Sequence, residues 1–168
     1  MALSLFRKRE ANPAEALYRA IVGEARRPEW YRDAKVPDTI DGRYCVLATL
    51  LALTDLRLGQ GSETAVSLSP RLTELFVADL DVQLRESGLG DPTLGKTVRN
   101  LVTGLSGRIA RWQEVAASGG DRLSVIRASL YRDLDVGQAQ LSVADGLVAD
   151  WQERLVRSGD EALRDGSI

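Results

Sequence analysis

Apolar residues recur at intervals of three and four positions along most of the chain, which is the spacing of a buried stripe on an α-helix. The longest run consists of Leu94, Val98, Leu101, Leu105, Ile109, Trp112 and Val115. No segment keeps the alternation that is typical of a β-strand, and no internal repeat has the spacing of a solenoid. The pattern therefore predicts an all-α protein that forms a single compact domain of about six helices.

Capping residues indicate where the first two helices begin and end. Asn12 followed by Pro13 is typical of an N-cap and a first helical residue, and Pro28 stops the helix that begins there. A second helix is predicted from about Thr39 to Leu58. It is apolar around much of its circumference, as a central, buried helix would be, and its apolar side contains Ile40, Tyr44, Leu47, Leu51 and Leu58.

Four further helices follow. The first begins at Ser69-Pro70, which repeats the cap-and-proline signature, and it carries an apolar stripe of Leu72, Leu75, Phe76, Leu80 and Leu84. The longest helix ends at Gly119-Gly120. Asp121 caps a short helix with Leu123, Ile126, Leu130 and Leu134, and the last helix contains Leu141, Leu147, Trp151 and Leu155. Residues 28–38 and 59–69 are expected to be irregular connections.

The helical domain is predicted to span residues 12–158, between a flexible N-terminal tail, residues 1–11, and a frayed polar tail, residues 159–168. At the start, short apolar content precedes the charges of Arg7-Lys8-Arg9, whereas a secretory signal would have the opposite order. The longest apolar stretch, residues 46–53, is far shorter than the ~20 residues of a membrane span. We therefore expect a cytoplasmic protein, with peripheral contact at the inner membrane as a further option.

Composition excludes several kinds of chemistry. The chain has no histidine, and Cys45 is its single cysteine, so it cannot by itself supply a Ser-His-Asp triad, a Cys-His dyad, a histidine-ligated haem or a typical zinc site. The formal net charge of −2 argues against nucleic acid as the main ligand. We expect no enzyme activity and no cofactor.

One segment matches a nucleotide-binding motif. Residues 90–97, Gly-Asp-Pro-Thr-Leu-Gly-Lys-Thr, satisfy the P-loop pattern at every defined position. A P-loop follows a buried parallel strand, however, and the residues before Gly90 end an amphipathic helix. A P-loop nucleotide-binding protein is therefore the less favoured alternative. Paired aspartates are a second candidate, for a metal site, although such pairs are commonly solvated or capping residues: Asp38 with Asp41, Asp79 with Asp81, and Asp133 with Asp135.

Two sequence blocks resemble the ubiquinol–cytochrome c chaperone family. The first is Trp30-Tyr31 followed by Val-Pro-Asp-Thr-Ile-Asp-Gly-Arg-Tyr at 36–44, and the second runs from Leu75-Phe76 through Asp79-Leu80-Asp81 to Gly95-Lys96. The likeness spans about Tyr18 to Leu134. It implies a non-enzymatic assembly chaperone that binds newly made cytochrome b, or another subunit, and supports assembly of the cytochrome bc1 complex. Transient contact with the membrane surface or the ribosome is a further expectation, and the basic Arg7-Lys8-Arg9 cluster of the tail is the candidate for the membrane contact.

The charged and aromatic residues of these blocks are the candidate partner-binding site: Trp30, Tyr31, Asp38, Asp41, Arg43, Asp91 and Lys96. Each has a purely structural alternative. Asp38 or Thr39 can cap the second helix while Arg43 pairs with Asp38 or Asp41, and the two aromatic residues can pack the connection onto the core. A helical interaction adaptor unrelated to respiration remains the main alternative function.

Overall fold

The computed structural model describes residues 12–86, 88, 91–132 and 134–168, with the backbone alone at positions 91 and 92. This part of the chain contains no strand and nine helical segments: α1 (Glu15–Ala25), α2 (Pro28–Arg32), α3 (Ile40–Leu58), α4 (Glu63–Val66), α5 (Leu68–Glu86), α6 (Asp91–Ser118), α7 (Arg122–Leu130), α8 (Gln138–Arg157) and α9 (Asp160–Arg164). Six of these have nine residues or more. The prediction of an all-α fold with about six helices is confirmed.

Asn12 and Pro28 lie close to the two ends of α1, near the positions where the sequence predicts that this helix begins and ends. The Asn12 side chain accepts a hydrogen bond from the Ala14 backbone N–H at 2.9 Å, immediately before α1. Pro28 ends α1 as expected, but it also occupies the first position of the short helix α2, where its missing N–H and fixed φ are compatible with helix. The prediction of an irregular connection over 28–38 is therefore wrong for residues 28–32.

Helix α3 is the central helix, as predicted. The Thr39 hydroxyl accepts a hydrogen bond from the Gly42 N–H at 3.1 Å and so caps it. The helix contacts α1, α5, α6, α7 and α8, and every residue from Tyr44 to Thr54 is buried. Two hydroxyls are buried with them, and each donates to a backbone carbonyl four residues earlier: Thr49 to Cys45 at 2.7 Å and Thr54 to Leu50 at 2.8 Å.

The segment between α3 and α5 is more helical than the sequence indicated. Helix α4 lies within the predicted loop 59–69, and α5 begins at Leu68 rather than after a Ser69 cap. The Ser69 hydroxyl instead donates to the Asp55 carboxylate on α3. The predicted stripe of α5 nevertheless faces the core, with Leu72, Phe76, Leu80 and Leu84 buried.

The later helices follow their predicted patterns with one exception. Asp121 caps α7 by accepting from the Ser124 N–H at 3.2 Å, and Trp112 of α6 and Trp151 of α8 are fully buried. Leu134 was assigned to the buried stripe of the short helix. That helix ends at Leu130, and Leu134 is 53 % exposed. The stripe therefore stops one turn earlier than predicted.

The C-terminal segment is ordered rather than frayed. Residues 160–164 form α9, which contacts α1 and α4, and Leu163 is fully buried. Asp160 anchors this helix by accepting from Arg57 at 3.0 Å and from the Ser62 backbone N–H at 2.7 Å. The polar composition of the tail gave no sign of this buried leucine or of a carboxylate with fixed partners.

Replacing Leu163 with alanine is expected to lower the free energy of unfolding by about 2 kcal/mol, because the buried side chain leaves a cavity under α9. Urea denaturation measures this change. Leu134→Ala is the matched control, and it should change stability by no more than about 0.5 kcal/mol because Leu134 is exposed. An unchanged midpoint for Leu163→Ala would show that α9 does not stabilise the domain.

Candidate binding groove

An open groove lies where the ends of several helices meet. Its walls are the end of α1 with α2, the start of α3, the second half of α5 and the first half of α6, and its volume is about 1110 Å³. Its apolar surface is formed by Val22, Ala25, Ile40, Leu47, Leu80, Val82, Leu84 and Leu101. Charged side chains line its edges: Arg26, Arg32, Asp38, Asp41, Arg43, Asp79 and Glu86.

Two large apolar side chains in this groove are exposed to solvent. Ile40 at the start of α3 is 57 % exposed and Val82 on α5 is 53 % exposed. The prediction that Ile40 lies on the buried side of α3 is wrong, because this first residue of α3 lines the open groove and is exposed there. Exposed apolar groups bordered by polar residues in a concave surface are typical of protein-binding sites.

The Pro-Asp-Thr-Ile-Asp-Gly block, residues 37–42, determines how α3 begins beside the groove. A Cβ atom on Gly42 would lie 1.9 Å from the Pro37 carbonyl oxygen, so the helix and the connection before it approach as closely as they do only because residue 42 lacks a side chain. Thr39 caps the same turn. These contacts place Ile40, Asp41 and Arg43 at the groove, and the close approach to Pro37 by itself explains the glycine at position 42.

The charged residues of this block form two ion pairs. Arg43 donates to Asp38 at 2.7 Å, one of the two arrangements predicted, and Asp41 pairs with Arg132 at 3.0 Å. All four side chains are more than 40 % exposed, so these pairs add little to the stability of the fold. Their exposure at the groove edge leaves them accessible to a partner.

The two neighbouring aromatic residues have different environments. Trp30 is fully buried, and its indole N–H donates to the Glu24 carbonyl at 3.1 Å. Its side chain therefore packs the connection onto the core and has no surface to offer a partner, which corrects the prediction for this residue. Tyr31 is half-buried and lines the groove. Burial raises the pKa of Tyr31 to about 12, so the protonated hydroxyl donates to the Ala25 carbonyl, at 2.6 Å.

Lys96 does not join this cluster, and the prediction for the Asp91 side chain lies outside the described part of the structure. Both belong to α6, where Lys96 is exposed and lies outside the groove lining, and Asp91 is the first residue of the helix. Among the α6 side chains that the structure describes, Thr97 and Leu101 line the groove. Of the seven predicted site residues, the structure therefore brings Tyr31, Asp38, Asp41 and Arg43 together, and a role for Lys96 or Asp91 stays a prediction.

Tyr44 connects the groove to the core, a role that the sequence did not reveal. Its hydroxyl donates to the Leu101 carbonyl of α6 at 2.7 Å, and burial raises its pKa. The guanidinium groups of Arg108 and Arg132 lie 5.1 and 5.8 Å from the centre of its ring, within cation–π range. Arg108 is itself buried and donates to the Ser129 carbonyl of α7 at 3.0 Å. These contacts hold α3, α6 and α7 together beneath the groove.

The structure contradicts the P-loop alternative. Residues 91–97 are the first turns of α6 instead of an open loop, and the element before them is the helix α5. Residues 12–86, 88, 91–132 and 134–168 include no strand that could support such a loop. The lysine and threonine of the motif are thus side chains along a helix, and the N–H groups of residues 95–97 lie beyond the first four that a helix leaves unpaired.

Four of the six paired aspartates have partners other than a metal: Asp38 and Asp41 in the ion pairs above, and Asp79 and Asp81. Asp79 accepts from the Tyr18 hydroxyl at 2.9 Å, and Asp81 pairs with Arg85 at 2.9 Å. Among the residues that the structure describes, no three His, Cys, Asp or Glu side chains come together in a way that could hold a metal ion. The prediction for Asp133 lies outside the described residues.

No helix in the described part of the chain combines the length and the apolar character that a membrane span requires.

The fold and the groove define a class of protein: an all-helical domain with an open apolar cleft that has charged side chains along it. The chain belongs to the ubiquinol-cytochrome C chaperone family, whose model matches residues 32–167. The predicted resemblance is confirmed, although the match begins later than Tyr18 and continues past Leu134 to include α8 and α9.

A solved structure supports the same assignment. The crystal structure of the Cbp3 homolog from Brucella abortus is similar to this chain with a TM-score of 0.76 and 28 % sequence identity. The alignment covers 100 % of this chain and 95 % of that one, so the likeness includes every helix described above. The comparison with curated proteins gives no significant match.

Proposed function

We propose that this protein is a non-enzymatic chaperone for assembly of the cytochrome bc1 complex, and that its groove holds newly made cytochrome b until it is incorporated. Membership of the ubiquinol-cytochrome C chaperone family supports the assembly role. The single observation that carries the binding role is the pair of exposed apolar side chains, Ile40 and Val82, in a cleft of about 1110 Å³. An apolar client segment would cover both.

The groove is suited to binding rather than to chemistry. Three of its four carboxylates already have partners within the chain: Asp38 with Arg43, Asp41 with Arg132, and Asp79 with the Tyr18 hydroxyl. A general acid or base needs a free proton-transfer site and a matched pKa, and a histidine cannot supply one in this chain. Such a protein can act by covering apolar surface alone, without catalysis or a cofactor.

Removing the protein from cells is expected to lower the amount of assembled cytochrome bc1 complex while leaving succinate dehydrogenase unchanged. Native gel electrophoresis and the reduced-minus-oxidised haem b spectrum measure this loss. Affinity capture of the protein from detergent-solubilised membranes should recover cytochrome b. Normal cytochrome bc1 in the deletion strain would reject the proposal and favour a helical adaptor with a different client.

We place this activity in the cytoplasm at the inner membrane, where cytochrome b is inserted. Fractionation during active synthesis tests the location. The protein should divide between the soluble and membrane fractions, and it should leave the membrane fraction when synthesis is stopped, because its client is consumed. A location that does not respond to synthesis would contradict a role in holding new cytochrome b.

A further inference from the structure

Most of the charged side chains in the groove already have a partner within the chain. Five of the seven have an ion-pair or hydrogen-bond partner: Arg32, Asp38, Asp41, Arg43 and Asp79. Within the residues that the structure describes, Arg26 and Glu86 have no side-chain hydrogen bond and no opposite charge within 4 Å. Both are exposed. The groove therefore offers one unpaired cation and one unpaired anion.

These two residues stand on different walls of the groove. Arg26 follows the last residue of α1, and Glu86 is the last residue of α5. A cation at the C-terminus of a helix is favourable, so Arg26 also has a local structural reason to be there. Glu86 has no such reason, because a carboxylate at the C-terminal end of a helix faces the negative end of its dipole. Its charge is better explained by a cation that comes from outside the chain.

The groove is more compatible with a helical occupant than with an extended one. An extended segment gains affinity by pairing with the edge of a sheet, and the described part of this chain has no strand. A helix satisfies its own backbone hydrogen bonds and needs only apolar contact, which Ile40 and Val82 supply. Charged residues near its two ends would then meet the edges of the groove.

We propose that the groove selects an apolar helical segment that carries a carboxylate near one end, paired with Arg26, and a lysine or arginine near the other, paired with Glu86. This inference rests on the proposed function and specifies the client that the groove accepts. An anionic lipid would satisfy Arg26 but would be repelled by Glu86. The free carboxylate therefore favours a segment with both charges.

Three synthetic helical peptides of about 20 residues with one shared apolar sequence test the pairing. Their ends carry Glu and Lys, Lys and Lys, or Glu and Glu. The full-length protein should bind the Glu/Lys peptide about fivefold more tightly than either like-charged peptide in fluorescence anisotropy at low salt. Since these charges are exposed, the preference should shrink to less than about twofold in ~1 M NaCl.

Charge-reversed variants should change the preference in a defined way. Arg26→Glu should prefer the Lys/Lys peptide, and Glu86→Lys should prefer the Glu/Glu peptide. The double variant should regain the Glu/Lys preference, because the helix can bind in the opposite direction. Arg19→Glu and Glu114→Lys are matched controls: both residues are exposed and lie outside the groove, so the preference of the unaltered protein should persist.

Equal binding of the three peptides by all variants, or no peptide binding by the unaltered protein, would overturn this inference. A normal requirement for the protein in cytochrome bc1 assembly would still leave the proposed function in place. Flotation with vesicles of phosphatidylglycerol tests whether the protein binds an anionic lipid instead. If Arg26→Glu weakens vesicle flotation and leaves peptide binding unchanged, Arg26 binds a lipid phosphate, and the helical-client inference is rejected.

Discussion

Replacing both Ile40 and Val82 with glutamate is expected to reduce assembled cytochrome bc1 to the level of cells that lack the protein. A client segment in the groove would bury two carboxylates against apolar surface without partners, which costs several kcal/mol. A loss of about 3 kcal/mol corresponds to an affinity roughly 150-fold weaker. Both side chains are more than half exposed in the free protein, so its melting temperature should change by no more than about 2 °C.

The control is a second pair of exposed valines outside the groove. Val66 on α4 is 46 % exposed and Val143 on α8 is 40 % exposed, and neither lines the groove. The Val66→Glu/Val143→Glu variant has the same added charge and should restore cytochrome bc1 fully. Complementation of the deletion strain, read by native gel and haem b spectrum, compares the two. Full restoration by the Ile40→Glu/Val82→Glu protein would mean that the client binds elsewhere.

Gly42→Ala should be the most destabilising single substitution near the groove, with a loss of about 3 kcal/mol in the free energy of unfolding. The added Cβ would lie 1.9 Å from the Pro37 carbonyl oxygen, and a backbone atom cannot rotate away as a side chain can. The first turn of α3 must therefore move. The melting temperature should fall by about 6–10 °C for a protein of this size.

The same substitution should also impair function at temperatures where the protein remains folded, because the first turn of α3 carries Ile40, Asp41 and Arg43. Gly146→Ala on α8 is the matched control. A Cβ there meets no atom within 4 Å, so alanine should stabilise the helix by about 0.5–1 kcal/mol. Urea denaturation of both variants gives the comparison. Equal stability of Gly42→Ala and the unaltered protein would show that the close approach to Pro37 is relaxed in solution.

The helices that could be predicted are those whose signals are local. Thr39 and Asp121 cap helices at the predicted positions because a capping side chain bonds to N–H groups only two or three residues away. Asn12 makes such a bond to the Ala14 N–H, but Ala14, and not Asn12, is the residue that immediately precedes α1. The prediction of a cap at Ser69 is wrong, because the Ser69 hydroxyl donates a hydrogen bond to Asp55, which is distant in the sequence. A capping residue is thus a sound prediction only when no distant group competes for it.

The candidate site was only partly predictable for a related reason. The first of the two family blocks contains both Trp30 and Arg43, and its sequence pattern predicted both as binding residues. Trp30 is fully buried, however, whereas Arg43 is exposed at the groove. Val82 offered a weak signal, as an apolar residue off the buried stripe of α5. Arg26 and Glu86 offered none, since an unpaired charge is recognised only by knowing what surrounds it.

The sequence by itself determined the all-helical class, the central position of α3 and the likeness to a chaperone family. Helical period, capping and a contiguous motif are properties of neighbouring residues, and so they can be read along the chain. The tertiary structure alone decided that the ends of α1, α3, α5 and α6 leave an open groove, and that α9 is anchored by Leu163. The groove and the anchoring of α9 both depend on which surfaces of distant helices meet. The apolar area that these helices bury against each other stabilises the arrangement, and it cannot be assigned to any one segment of the sequence.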